Sequence, residues 1–281
     1  MTRQGLLFGT GGTPNSTPPP RSTISGIGRI ADLGLGCMEL EFVQGVKMSE
    51  ATAAQVKAKA ASTGIRLTAH GPYAINLNSV DPEKVKASKE RILKTARVGQ
   101  QCGAESVVFH AGFYGKDPPA QVYDVVRRAI SEITGQLRME GIGLTIRTEL
   151  TGKVTDFGTL DEVLQLASEI PGLAPCIDFA HLHARTGAFN AYNEFASVLG
   201  MIEKRLTRSG LDNLHAHVSG IQYATHGEVK HLPLKESDFK YEELLRAFHD
   251  YSVKGFIICE SPILEDDALL LKRTFEELSA R

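Results

Sequence analysis

Eight times along this chain a short apolar run of strand type is followed by an amphipathic stretch of helical period. The predicted strands are 5–9, 38–43, 65–70, 105–110, 142–149, 174–178, 214–218 and 255–260. The predicted helices are 23–34, 48–62, 82–102, 119–140, 159–169, 190–209, 238–252 and 265–280. Serine or aspartate stands near several helix starts, as at Ser49, Asp81 and Asp161. Regular β-then-α alternation demands a parallel sheet with helices outside it. A doubly wound sheet often has roughly five to seven strands, whereas eight units favour closure into a barrel. Such a barrel needs about 250 residues, and the chain has 281. The expected fold is therefore α/β, one (β/α)8 TIM barrel over residues 1–281, with no linker between domains. The Pro-rich segment Gly11–Arg21 reads as a surface loop after the first strand.

A parallel barrel brings the C-terminal ends of all its strands to one mouth. His70, His110, Glu149, Asp178, His217 and Glu260 lie at or near such ends, and His181 follows Asp178 by three residues. Each has a plain structural alternative. A strand-end histidine can cap the core through the backbone, and Glu149 can pair with Arg147 or Lys153. Asp178 can be a helix cap followed by an exposed histidine, and Glu260 can meet an arginine. His215 and His217 share a face, so both point inward or both outward. Taken together, His, Asp and Glu at equivalent positions on six strands point to a multinuclear metal site at the C-terminal mouth. A further cluster, His226, Glu228 and His231, sits in an insertion longer than a simple connection after the seventh strand.

Composition narrows the choices. A formal net charge of -2 argues against a wholly basic nucleic-acid glove. Cys37, Cys102, Cys176 and Cys259 form no CxxC pair and read as small buried residues of a reducing compartment. No apolar run is long enough to span a bilayer and no secretory leader is visible, so the expected location is cytoplasmic. There is no GxGxxG, Walker A, GxSxG or HExxH motif.

Several segments match one known family. The run AHGPYAINL at His70, FHAG at His110, TELTGK at Glu149, CIDFAHLHARTG with Asp178 and His181, AHVSG with His217, and ICESP at Glu260 carry the match. With them the chain resembles endonuclease IV, the zinc-dependent apurinic/apyrimidinic endonucleases among the xylose-isomerase-like TIM barrels. The resemblance implies zinc, two or three ions, with manganese as a substitute. It places His70, His110 and Glu149 on one ion. Glu149 bridges to a second ion held by Asp178, His217 and Glu260, and His181 and His231 hold the third. It further implies hydrolysis of the phosphodiester 5′ to an abasic site in damaged double-stranded DNA, with Glu149 catalytic and Tyr73 entering the DNA stack. A monomer is expected. Two departures mark a divergent branch: Val229 stands where the family has an aspartate, and Ser219-Gly220 where it has Asn-Asp. Glu228 is adjacent, but in an extended segment it points opposite to Val229 and reaches the third ion only if GEVKH turns.

The competing reading is a sugar isomerase or epimerase of the same barrel group. It needs one ion on Glu149, Asp178, His217 and Glu260, and has no use for His70, His110 and His231. A third class, a metal-binding protein that recognises DNA damage without cleaving it, keeps the ligands and lacks turnover.

Overall fold

The computed structural model describes residues 5–280. Eight parallel strands close into a barrel: β1 (Leu6–Gly11), β2 (Cys37–Glu41), β3 (Arg66–His70), β4 (Ala104–Phe109), β5 (Thr145–Glu149), β6 (Leu173–Asp178), β7 (Leu214–Val218) and β10 (Gly255–Cys259). Strand β10 closes the ring between β7 and β1. The helices are α1 (Thr23–Asp32), α2 (Glu50–Thr63), α3 (Pro82–Cys102), α4 (Pro119–Met139), α5 (Leu160–Glu169), α6 (Phe179–Thr186), α7 (Tyr192–Asp212), α8 (Tyr241–Asp250) and α9 (Glu265–Ser279). The expected eight-unit barrel is present, with boundaries shifted by a few residues.

Local chemistry explains where the helices begin and end. Ser49 and Asp81 are N-caps whose side chains accept from Thr52 N and Glu83 N. Thr159 and Glu162 form a capping box for α5, so Asp161 lies in the first turn and is not the cap. Helix α7 breaks at Thr207, where φ is 59°.

Side chains alternate along each strand, and this sorts the barrel into two environments. Met38, Leu40, Leu67, Ala69, Val107, Ile146, Ile177, Ala216 and Ile257 belong to the large core shared with the helices. The other parity faces the barrel axis. At the N-terminal end Leu7, Cys37, Phe256 and Ile258 fill the axis with an apolar plug. Above the plug the axis turns polar, with Glu39, Thr68, Ser106, Arg147 and His215 all buried. All four cysteines are free and buried. No helix among the described residues is long and apolar enough to cross a membrane.

Two elements depart from the sequence reading. No helix is predicted between 178 and 190, but the residues after Asp178 form α6, capped by Asp178 through a 2.6 Å bond from His181 N. The insertion after β7 is an antiparallel hairpin of β8 (Gly220–Ala224) and β9 (Gly227–Leu232). It sits over the mouth and touches the β5 loop through a bridge between Lys153 and Gly227.

Candidate metal centre

Glu149 ends β5 with both carboxylate oxygens in use. Its Oε2 lies 3.0 Å from His70 Nε2 and 2.9 Å from His110 Nε2. Its Oε1 lies 3.3 Å from His217 Nδ1 and 3.4 Å from His181 Nδ1. Arg147, one of the alternatives weighed for it, donates to the carbonyls of Pro175 and Asn213. Glu260 Oε1 approaches His217 Nδ1 at 3.3 Å. Asp178 uses Oδ1 as the cap of α6, while its buried Oδ2 makes no hydrogen bond and lies 3.3 Å from His181 Nδ1. Asp178 is therefore a helix cap, but the histidine that follows it, His181, is buried and not exposed.

Three overlapping groups result. His70, His110 and Glu149 form one, Glu149, Asp178, His217 and Glu260 a second, and Asp178, His181 and His231 a third. Within each group the ligand atoms lie within 4.8 Å of one another. Backbone carbonyls hold the outer ring nitrogens. His70 Nδ1 faces Gly71 O at 2.8 Å, His181 Nδ1 faces Leu150 O at 3.1 Å, and His231 Nδ1 faces Glu260 O at 3.0 Å. A carbonyl only accepts, so each outer nitrogen carries the proton and Nε2 is left as the donor atom. His181 Nε2 and His231 Nε2 then face each other at 3.2 Å. Two neutral imidazoles cannot share that contact with both lone pairs inward, so either a proton or a metal ion sits between them. That contact and the buried Asp178 Oδ2, which makes no hydrogen bond, fit a divalent ion.

The third group depends on the hairpin. Gln222 pairs with Lys230 and Tyr223 with Glu228, which leaves Val229 as an extra residue on β9. This is a β-bulge, and it changes the alternation by one. Glu228 and His231 therefore share a face, and Glu228 Oε2 reaches His181 Nε2 at 3.4 Å. The turn that Glu228 requires is present. Val229 points to solvent at 54% exposure. Gly152 lets the hairpin approach: a Cβ there would lie 2.7 Å from Glu228 Cβ and 2.9 Å from His181 Cδ2. His226 occupies the hairpin turn, and its carbonyl accepts from Val154 N at 3.3 Å.

Without metal, protons take the place of ions. Burial lowers the pKa of His70, but its bond to Glu149 and that carboxylate's charge outweigh burial and push it up to about 10. His181 also reaches about 10, with the charges of Asp178 and Glu149 prevailing over burial. His217 is held well above the usual imidazole range against the same opposition. Burial would raise Glu149, but the surrounding imidazoles hold it well below the usual carboxylate range. Burial pushes Asp178 up to about 6, an effect its histidine neighbours only partly offset.

Two acids missed in the sequence reading join the site from β2. Glu39 is fully buried, 2.9 Å from His217 Nε2 and 3.2 Å from His215 Nε2. Glu41 groups with Glu39 and Glu260, and burial pushes it up to about 8. Their signal was present in MELEF: acids at alternate positions of an otherwise apolar strand.

The mouth opens into a cleft of ≈ 320 Å³ whose lining includes Tyr73, Phe113, Lys153, Glu228 and Glu260. Tyr73 is 65% exposed, with its ring 6.0 Å from that of His70.

The profile of the xylose isomerase-like TIM-barrel family matches residues 27–278. The chain belongs to that family. An uncharacterized protein of Methanocaldococcus jannaschii is 42% identical over 274 residues, covering 97% of this chain and 98% of its own. A probable endonuclease 4 of Mycoplasmopsis pulmonis is 24% identical over 203 residues, 71% of each chain. Among solved structures, endonuclease IV from Thermus thermophilus superposes with a TM-score of 0.75 at 18% identity, covering 99% of this chain and 100% of that one. A D-tagatose 3-epimerase-like protein superposes at 0.71 with 20% identity, covering 91% and 92%. At these identities the structural likenesses establish the fold alone.

Proposed function

We propose that this family member is a divalent-metal-dependent hydrolase of the endonuclease IV type, with residues 1–281 as one catalytic domain. In this reading it cuts the DNA phosphodiester 5′ to abasic sites. The observation that carries it is the sharing of Glu149 between two ligand groups, with a third group beside them. A single-ion isomerase uses only Glu149, Asp178, His217 and Glu260. It has no use for His70, His110 and His231 as ligands, although all three line the same cleft. The similarity to a probable endonuclease 4 supports the same choice.

His70, His110 and Glu149 would hold one ion, and Glu149, Asp178, His217 and Glu260 a second. His181, His231 and Glu228 would hold the third, with Glu228 in the role that Val229 cannot fill. Imidazole-rich sets suit zinc, and the carboxylate-rich second set also accepts manganese. Bound there, divalent ions supply Lewis acidity, lowering the pKa of water and offsetting charge on the phosphate and the leaving oxygen. Glu149 belongs to both of the first two sets and would link them. Lys153 lines the cleft, where its ammonium would meet a phosphodiester backbone. Partial burial and the nearby carboxylates push the Tyr73 phenol up to about 12, so near neutral pH it is an uncharged ring suited to filling the gap of a missing base.

The second reading, a sugar epimerase, draws on the D-tagatose 3-epimerase-like fold match. One experiment separates the two. Protein purified without chelator is analysed for metal, then assayed on a duplex with a synthetic abasic site and on ketoses. Two or three ions per chain with metal-dependent nicking is the expected result. One ion with ketose interconversion and no nicking establishes the epimerase.

A further inference from the structure

His217 stands between two sets of carboxylates. Its Nδ1 faces Glu149 Oε1 and Glu260 Oε1, each at 3.3 Å. Its Nε2 faces Glu39 Oε1 at 2.9 Å, the shorter contact. Glu39 is itself fixed. Thr68, its direct register partner on β3, donates to Glu39 Oε2 at 2.7 Å. His215 Nε2 lies 3.2 Å from the same oxygen. Glu39, Thr68, His215 and His217 are all fully buried, so no water competes for these contacts.

We propose that Glu39 is the positioning residue of the carboxylate-rich metal site: it holds the Nε2 proton of His217 and so leaves Nδ1 as the metal-facing lone pair. The inference rests on the reading of His217 as a metal ligand. A neutral imidazole has one protonated and one bare nitrogen, and the outer hydrogen bond decides which is which. For His70, His181 and His231 a backbone carbonyl makes that decision. His217 has a carboxylate in that place. A carboxylate raises the basicity of the ligand as well as orienting the ring. It also supplies negative charge beneath a site already rich in acids, which favours a doubly charged ion over a proton. Strand β2 can deliver this group because alternation places Glu39 one layer below Glu41, on the barrel axis.

The test measures metal binding, not turnover. Wild type, Glu39→Gln, Thr68→Val and His217→Ala are stripped of metal. Zinc affinities are read by competition with a chromophoric chelator, and Co2+ is titrated while its d–d absorption is followed. Glu39→Gln should weaken one of the bound ions by about 10–100-fold, the usual effect of losing an outer carboxylate. It should shift the Co2+ band of that ion and leave the others unchanged. Thr68→Val should shift the same band with a smaller loss of affinity, which keeps the idea testable if Glu39→Gln does not fold. Wild-type affinities and an unchanged Co2+ spectrum in Glu39→Gln would overturn the proposal. His217→Ala separates the two levels. If it also binds every ion as wild type does, the metal reading of His217 fails. If it loses an ion while Glu39→Gln does not, only the role of Glu39 fails.

Discussion

The mouth is assembled from two kinds of scaffold. His70, Glu149, Asp178 and His217 stand on barrel strands locked by parallel register on both sides, and all are buried. Glu228 and His231 stand on a two-stranded hairpin, and their side chains keep 21% and 22% exposure. A barrel strand cannot slip without moving its neighbours, whereas a hairpin edge can bend. The hairpin pair also depends on one inserted residue and one close glycine contact. The difference teaches that ions held by the barrel should bind firmly, while the ion held by the hairpin is the adjustable one.

The sharpest way to break this contrast is Glu149→Gln. It removes charge from both barrel groups at once, so activity on abasic DNA should fall by more than about 100-fold, as when a charge-stabilising group is removed. Elemental analysis should show both barrel ions weakened, with the hairpin ion least affected. Retention of two tightly bound barrel ions in this variant would show that Glu149 is not shared.

Acidity probes the barrel groups next. In the metal-free protein the pairing of His70 and His181 with carboxylates stabilises the fold fully below the ordinary imidazole pKa of about 6.5. That contribution is lost as the pH rises through about 10. Metal needs one nitrogen of each ring bare, so its affinity moves the other way. It should strengthen between pH 6.5 and 10 by up to about tenfold per pH unit for each proton displaced. Calorimetry in buffers of different ionisation enthalpy should record net proton release on binding. A pH-independent affinity would contradict the pairing seen here.

Gly152→Ala addresses the hairpin alone. The added methyl would press on Glu228 and His181 and should destabilise the fold by ~1–3 kcal/mol. In a metal titration the hairpin ion should be lost first, with the barrel ions kept. Glu228→Ala should act in the same direction without the packing strain, weakening that one ion by about tenfold. Three ions bound with wild-type affinity would remove Glu228 from the site.

The smallest effect belongs to the rim. Tyr73→Ala should raise KM for abasic duplex by roughly five- to tenfold, in keeping with about 1 kcal/mol, the low end for a stacking contact. It should leave metal content unchanged. A change in metal content instead would assign Tyr73 to the support of His70.

Much of this was legible in the chain before any coordinates. Two periods, near two and near 3.6, repeated eight times, leave a closed parallel barrel as the economical fold. Parallel strands then carry whatever ends them to one mouth, which is why His70, His110, Glu149, Asp178, His217 and Glu260 could be grouped by position alone. The alternation of MELEF held the clue to Glu39 and Glu41, but alternation names a face without saying which face is inside. Closure of β2 between β1 and β3 made that choice and turned both acids inward. The hairpin was decided by tertiary structure for a different reason. A bulge is a mismatch between two strands, so Val229 becomes the extra residue only when β9 is set against β8. The division of Glu149 between two pairs of histidines has the same origin. Sequence names five residues, four at strand ends and His181 on α6, and only barrel curvature sets which carboxylate oxygen each imidazole meets.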